Sequence, residues 1–150
     1  MEKIKTVTAQ RGTEPLVADV CGVTARPYRP EGGAAGASKN LMHYYQDQFR
    51  SMCVFMECHL SESLTVETLC THTGLSRATV TRIFQCCAEM GPIRYFQTIR
   101  IKEAKRMIRS GGKSMTEISQ LLGFSTIHHF SRVFKQTTGL SPREYAQMLY

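Results

Sequence analysis

Two stretches of this chain follow the same pattern: residues 69–76, LCTHTGLS, and residues 118–125, ISQLLGFS. In each, a short run with helical apolar spacing stops at a glycine, and a serine follows two residues later. A helix, a glycine-centred turn and a second helix make up the helix-turn-helix motif. Because a sequence repeat implies a repeated structural unit, the two copies predict two helix-turn-helix units in one chain.

The repeat extends past the two turns. The copies stand 49 residues apart up to Ser76 and Ser125, and 50 residues apart from Arg82 and Arg132 onward, so one extra residue lies between. The equivalent residues after the turns are Arg82-Ile83-Phe84, Pro92 and Tyr95 in the first copy and Arg132-Val133-Phe134, Pro142 and Tyr145 in the second. Each repeated unit therefore includes the second helix of the motif and the start of the helix that follows it.

The chain from residue 40 onward has helical spacing throughout. An apolar stripe predicts an amphipathic first helix, with Tyr45, Phe49, Met52, Met56 and Leu60 on one face. Glycines, prolines and capping residues delimit six more helices: residues 66–73, 77 to about 89, 92–109, 115 to near 123, one capped by Ser125 or Thr126, and one starting at Pro142. The predicted fold is all-α, with about seven helices. Two helix-turn-helix subdomains, at 64–90 and 114–138, are joined by a long linker helix at 92–109.

The first 39 residues differ from the rest. Residues 31–38 are small and glycine-rich, which is the composition of a flexible linker, and they divide the chain into segments 1–39 and 40–150. Segment 1–39 has two weak strand-like runs, at 4–9 and 16–24, and is too short for an independent core. It is either a disordered extension or the stub of a domain, and the sequence does not choose between them.

Composition restricts the class of protein. The chain has 150 residues, of which 42% are hydrophobic and 21% charged, so it is an ordinary globular chain rather than a disordered one. No apolar run approaches the roughly 20 residues of a membrane span, and the N-terminus has no signal-peptide core. We therefore expect a cytoplasmic protein with no membrane partner. The net charge of +7 suggests a polyanionic partner.

The cysteines do not form a recognised metal motif. There are six, and none of their spacings matches a zinc ribbon or a zinc finger, so we expect reduced thiols. Cys53-x4-Cys58-His59 and Cys70-Thr71-His72 are the one combination from which a metal site could be assembled, and they fit no known zinc module. The sequence therefore predicts no metal site and no cofactor.

The second helix of each unit has one apolar face and one polar face. The faces predicted to point to the core carry Val80, Ile83, Phe84 and Cys87 in the first unit and Phe130, Val133 and Phe134 in the second. The opposite stripes carry Ala78, Thr81, Arg82 and Gln85 in the first and His128, Ser131, Arg132 and Lys135 in the second. Arginine binds guanine with two hydrogen bonds, and a major groove about 12 Å wide admits one helix. Two matching stripes favour DNA reading over plain solvated surface.

The linker helix fits a bipartite site. Its eighteen residues from 92 to 109 span about 27 Å, somewhat less than the roughly 34 Å between successive major grooves on one DNA face. Residues 77–113 contain nine Lys and Arg and two acidic residues, Glu89 and Glu103. This basic stretch is where phosphate contacts are needed. The residues predicted to contact phosphates are Ser76, Arg100, Arg106 and Ser125.

At this point the residues resemble the DNA-binding domain of the AraC/XylS family of bacterial transcription regulators. The most specific matching stretches are Phe130-Ser131-Arg132-Val133-Phe134-Lys135 and Gly139-Leu140-Ser141-Pro142-Arg143-Glu144-Tyr145. The resemblance covers about residues 42–150. It implies two helix-turn-helix subdomains on a long helix, a monomer that binds two adjacent major grooves, and contact with RNA polymerase in the many members that activate transcription.

Matched position by position, the resemblance also implies base-reading residues. They are Arg77, Ala78, Thr81 and Arg82 in the first unit and Ile127, His128, Ser131 and Arg132 in the second. Ile127 has core spacing and is not taken as a reader, whereas Gln85, Thr126, His129 and Lys135 complete the predicted DNA-binding set. Ala78 is small for a reader, and Glu89 stands where the second unit has Gly139, so the loop before Pro92 is expected to differ in shape.

The sequence thus predicts a sequence-specific, double-stranded DNA-binding transcription regulator, most simply an activator associated with the bacterial nucleoid. Its partners would be DNA and RNA polymerase, and a monomer would suffice for a bipartite site, with the oligomeric state left open. The alternatives are a DNA-binding fragment of a larger effector-responsive regulator and a protein-interaction module without specific DNA binding. An enzyme is not expected, because DNA-repair proteins that share this module need a cysteine cluster, and segment 1–39 has Cys21 alone.

Overall fold

A computed structural model describes residues 35–149 of the chain. This part is all-α and without strands, which confirms the predicted fold class. The strand-like runs at 4–9 and 16–24 lie outside the described residues. The seven helices are α1 (Ala35–Cys58), α2 (Val66–Thr73), α3 (Arg77–Ala88), α4 (Pro92–Ser110), α5 (Met115–Leu121), α6 (Ile127–Thr138) and α7 (Pro142–Gln147). Helices α2 and α3 form the first helix-turn-helix unit, and α5 and α6 form the second.

The first helix begins earlier than the sequence indicated. It starts at Ala35, inside the glycine-rich stretch 31–38 and before the boundary placed between residues 39 and 40. Ala35, Ala37 and Lys39 are all good helix formers, and they offset the unfavourable propensities of Gly36 and Ser38 in this turn. The small residues of this stretch predict a linker when they are taken together. They include alanines, however, and alanine favours helix whereas glycine opposes it.

Local chemistry sets the ends of the helices. Gly74 ends α2 in the left-handed conformation, with φ of 71°, and Pro92 occupies the first turn of α4, where no amide hydrogen is needed. Of the two residues proposed to cap α6, Thr126 is the one whose side chain accepts the hydrogen bond from the backbone N–H of His129. Glu89 ends α3 at φ of 53°, a conformation that costs a non-glycine residue more than it costs Gly139 in the second unit.

Two apolar cores lie along α4. The first includes the predicted stripe of α1, in which Met52 and Met56 are fully buried, together with Val80, Ile83 and Phe84 of α3. The second is built from Ile101, Ala104, Ile108, Ile118, Leu122, Phe124, Phe130, Val133 and Phe134. Tyr95, Phe96 and Ile99 of α4 face the first core, and Ile101 begins the second. One continuous helix therefore carries both units.

Candidate nucleic-acid interface

The first recognition surface is the outward face of α3. Apolar spacing turns Val80, Ile83 and Phe84 completely inward, with no exposed surface, so the opposite stripe is left in solvent. The predicted readers of this helix are all exposed: Arg77, Ala78, Thr81, Arg82 and Gln85. Cys87, predicted for the core face, is half-buried. The structure therefore brings the five residues onto one accessible helix surface that contains two guanidinium groups.

The second recognition surface is the outward face of α6. Phe130 and Phe134 are fully buried beneath it. Of the predicted readers, Thr126, His128, Arg132 and Lys135 are exposed, whereas His129 and Ser131 are half-buried. The ring of His129 lies edge-on to Phe124, with 5.5 Å between ring centroids, so part of this side chain is used in packing. Ile127 is half-buried against the second core, consistent with its core spacing.

An acidic residue lies beside the first recognition surface. Oε1 of Glu67, at the start of α2, is 2.6 Å from Nη1 of Arg77, and both side chains are largely exposed. A backbone hydrogen bond lowers the pKa of Glu67, and Thr65 and Arg77 lower it further, so this carboxylate is charged at neutral pH. Glu67 orients the guanidinium of Arg77 and also offsets its charge. This pair was not predicted, because its members are ten residues apart in the chain and lie on different helices.

The hydroxyl groups at the helix starts are already engaged. Oγ of Ser76 accepts a hydrogen bond from the backbone N–H of Thr79 and lies 2.9 Å from the Thr79 hydroxyl. Ser125 is exposed, with its Oγ 3.5 Å from Nδ1 of His129. A capping oxygen uses its acceptor function, so a hydroxyl in this role can still donate a hydrogen bond to a phosphate. The proposed phosphate contacts of Ser76 and Ser125 stay predictions.

The prediction that Arg100 contacts phosphate is wrong. Arg100 is buried, and its guanidinium donates hydrogen bonds to the backbone carbonyls of Leu60 and Glu62. It also stacks on Phe96, 4.3 Å from the ring centroid, and lies 5.4 Å from that of Phe124. Burial lowers the pKa of Arg100 from its usual value, and the group remains charged because guanidinium is so weakly acidic. Counting charges along the helix could not show which of them point inward.

Three further basic residues of α4, Lys105, Arg106 and Arg109, lie toward its C-terminal end. Arg106 is exposed, but it donates three hydrogen bonds to the carboxylate of Glu103, at 2.6–3.0 Å, so its charge is largely compensated. The hydrogen bonds from Arg106 to Glu103 also raise the pKa of Arg106. Nε of Arg109 donates a hydrogen bond to the hydroxyl of Tyr145, at 2.9 Å. Nζ of Lys105 lies 5.6 Å from the centroid of the Tyr145 ring. The phosphate contact of Arg106 stays a prediction. Lys105 and Arg109 belong to the basic stretch 77–113 but are not among the residues predicted to contact phosphates.

Two histidines stack on a phenylalanine near the end of α1. Phe55 lies between His59 and His72, at 4.1 Å from each ring centroid, and Nδ1 of His59 is 2.7 Å from the Phe55 carbonyl oxygen. Within residues 35–149, no group of three or more His, Cys, Asp or Glu side chains is placed to bind a metal ion. In the same range, no helix has both the length and the apolarity that crossing a membrane requires.

Known sequences resemble this chain over its helical part. A family model described as a helix-turn-helix domain matches residues 69–148, more than half of the chain. The transcriptional regulator GbdR of Pseudomonas aeruginosa is 26% identical over 109 residues, which cover 73% of this chain and 30% of the relative. The transcriptional activator RhaS of Escherichia fergusonii is 30% identical over 96 residues, covering 64% and 34% respectively. The chain spans about a third of the length of these two regulators.

Solved structures share the arrangement of two helix-turn-helix units. An AraC-type transcriptional regulator from Chromobacterium violaceum matches with a TM-score of 0.66 at 24% identity, over 71% of this chain and 96% of that one. The DNA-binding domain of the global transcriptional factor AdpA, solved in complex with a target DNA, matches with a TM-score of 0.63 at 26% identity, over 67% and 91%. The chain belongs to the AraC/XylS family of helix-turn-helix transcription regulators, and its residues 69–148 carry the family's DNA-binding fold.

Proposed function

We propose that this chain is a transcription regulator that binds double-stranded DNA in a sequence-specific manner through α3 and α6. The observation that carries the proposal is the pair of equivalent exposed faces, each with an arginine at the same place of the repeat, Arg82 and Arg132. A guanidinium on a helix in the major groove donates to O6 and N7 of guanine, and Thr81, Gln85 and Ser131 reach neighbouring base edges or phosphates. Each helix would then read one short block of base pairs.

The two helices would read one site together. Helix α4 has 19 residues, which makes it about 28 Å long, and it carries one unit at each end. Successive major-groove openings on one face of DNA are roughly 34 Å apart, so moderate bending of the duplex would bring both grooves to the readers. One copy of the chain is sufficient for such a bipartite site. The complex of the relative AdpA with a target DNA supports DNA as the ligand of this fold.

Regulation would follow from contact with the transcription machinery. RhaS is described as an activator, and we extend this role to the present chain, with RNA polymerase as its protein partner and the DNA of the bacterial cytoplasm as its place of action. Because the chain spans about a third of GbdR and RhaS, a role as the DNA-binding part of a larger effector-responsive regulator is the second candidate. In that case the same DNA site is bound, and binding responds to a ligand held elsewhere.

Selection from a pool of randomised duplexes at about 0.15 M salt tests the proposal, because non-specific binding is already weakened at that salt concentration. Two enriched blocks about one helical turn apart are expected. A single block would contradict bipartite reading. No enrichment, together with a shallow dependence of binding on salt, would instead support a protein-interaction module, since DNA binding releases many counterions and has a steep salt dependence.

A further inference from the structure

The two helix-turn-helix units meet at a junction that the DNA-binding surface does not use. The loop between α1 and α2 belongs to the first unit, and Arg100 of α4 donates hydrogen bonds to two of its carbonyls, those of Leu60 and Glu62. The same guanidinium lies against Phe124, which is part of the turn in the second unit. Leu60 itself packs against both apolar cores. Arg100 is therefore a direct bridge between the units.

A second contact at the junction involves Gly123. A side-chain carbon at Gly123 would overlap the backbone carbonyl of Ser61, and it would lie 2.9 Å from Nη2 of Arg100. The equivalent glycine of the first unit, Gly74, has nearly the same φ, 71° against 66°, but has open space around it. Glycine is therefore required at position 123 for two reasons. The turn has a positive φ there, and a side chain would not fit because this turn lies directly on the loop of the first unit.

The junction contains a buried positive charge. Arg100 is buried, and within residues 35–149 its guanidinium forms no salt bridge with a carboxylate. It contacts the Leu60 and Glu62 carbonyls and the rings of Phe96 and Phe124. A buried charge is costly unless fixed dipoles surround it, so the guanidinium favours the one arrangement of the two units in which both carbonyls and both rings are in place. We name Arg100, Gly123, Phe124 and the backbone of residues 60–62 the inter-unit clamp.

We infer that the inter-unit clamp fixes the position of α6 relative to α3 and thereby sets the spacing between the two blocks of DNA that one chain can bind. This inference rests on the proposed function. Arg100 and Gly123 are positioning residues, since neither lies on a recognition surface. A rigid pair of readers gains full avidity at one spacing and little at others, whereas a loosened pair gains less avidity and tolerates several spacings.

Four variants test the inter-unit clamp. Arg100→Met keeps the apolar stem and removes every donor, and Arg100→Lys keeps the charge but has a different donor geometry. Gly123→Ala places a methyl group against the Ser61 carbonyl. Gly74→Ala is the matched control, because it places a side chain at a similar positive φ in the equivalent turn without touching the other unit. Far-UV circular dichroism identifies any variant that fails to fold, and Gly123→Ala keeps the test available if Arg100→Met does fail.

The first readout is binding to duplexes that carry the two selected blocks at their original spacing, or with one base pair inserted or deleted. One base pair moves a block by about 3.4 Å along the axis and by roughly 35° around it. For the wild type and Gly74→Ala we expect about a tenfold or greater loss on either change. For Arg100→Met and Gly123→Ala we expect less than about a threefold loss, with Arg100→Lys in between, and single-block affinity within about twofold of wild type.

The second readout needs no DNA. Spin labels on unnatural amino acids at the equivalent exposed positions Thr71 and Gln120 report the distance between the units. We expect a narrow distance distribution in the wild type and Gly74→Ala and a broad or displaced one in Arg100→Met and Gly123→Ala. An unchanged distribution in both junction variants overturns the inference, whatever the DNA data show. If the wild type binds no specific sequence while these distributions change as expected, the proposed DNA function fails and the clamp between the units stands.

Discussion

The first helix-turn-helix unit packs under α1, a helix of 24 residues, whereas the second is closed by α7, which has six. The recognition surfaces differ as well. In the first, Glu67 pairs with Arg77, and in the second no acidic side chain contacts Arg132 or Lys135 in a salt bridge among the described residues. The two units of the repeat therefore differ in the length of the helix that packs against them and in the charges beside their recognition surfaces. Equivalent positions in the two units therefore need not contribute equally to stability or to DNA binding.

Truncating the central phenylalanine of each core should have the largest effect. Phe84 and Phe134 occupy equivalent positions and are both fully buried. Phe84→Ala and Phe134→Ala should each lower the free energy of unfolding by about 3–5 kcal/mol, through lost burial and an unfilled cavity. Because α4 and the inter-unit clamp couple the cores, urea unfolding should stay a single transition in both variants. Two separate transitions in Phe134→Ala would show that the units unfold independently.

The two turn glycines should differ in their tolerance of alanine. Gly74→Ala should cost about 1–2 kcal/mol of unfolding free energy, the usual penalty for a side chain in the left-handed region. Gly123→Ala should cost a further 1–3 kcal/mol or so, because its methyl group is forced against the Ser61 carbonyl. Urea midpoints at one pH measure both values. Equal costs would mean that the contact between Gly123 and residue 61 is easily relieved.

Removing the acid beside α3 should strengthen non-specific DNA binding. Glu67→Gln frees Arg77 from its ion pair and deletes a negative charge near the phosphates. We expect affinity for an arbitrary duplex to rise about two- to fivefold at roughly 0.05 M salt, and the gain to shrink by about 0.2 M. Glu62→Gln is the control, since it removes the same charge at an exposed position whose carboxylate forms no salt bridge among the described residues, and it leaves the backbone carbonyl that Arg100 contacts unchanged. An equal gain in affinity in both variants would mean that the effect comes from net charge alone and not from the ion pair with Arg77.

The least stability change is expected from the titration of the α5 cap. Helix α5 is capped by Ser114 and Glu117, and hydrogen bonds from the Ser114 backbone and side chain lower the pKa of Glu117. A carboxylate with a lowered pKa stabilises the fold above its unfolded-state pKa, and this contribution disappears as the pH falls through the folded-state value. The cap of α2 uses Thr68 instead, which does not titrate.

Unfolding between about pH 6 and about pH 3 measures this difference. Glu117→Gln should be less stable than the wild type near neutral pH, and the gap should close in acid. Thr68→Ala should cost the same at every pH in that window. A constant gap for Glu117→Gln would show that the Glu117 charge does not contribute to the cap.

Much of the fold could be predicted from local chemistry. Gly74 and Pro92 mark helix boundaries because each has a backbone conformation that a helix accepts only at one end. The buried faces of α3 and α6 follow from apolar spacing, since every third or fourth residue lies on one side of a helix. The base-reading residues remain predictions, because exposure on the right face is necessary for reading DNA but does not identify which bases are read.

The inter-unit clamp was not predicted, for a physical reason. Arg100 was counted as surface charge, yet it lies four residues from both Phe96 and Ala104, which are buried on the same side of α4. That spacing was a usable signal for an inward arginine. Its partners were not accessible to sequence reasoning, because the carbonyls of Leu60 and Glu62 lie about forty residues away and carry no side-chain signature.

Selection of randomised duplexes by the wild type, Arg82→Ala and Arg132→Ala tests most directly that both units of one chain read DNA. The wild type should enrich two blocks about one helical turn apart. Each variant should lose a different block, at a cost of about 1–3 kcal/mol in affinity for the two-block duplex. If both variants lose the same block, or if neither loses one, the two recognition helices do not read two half-sites and the central claim is contradicted.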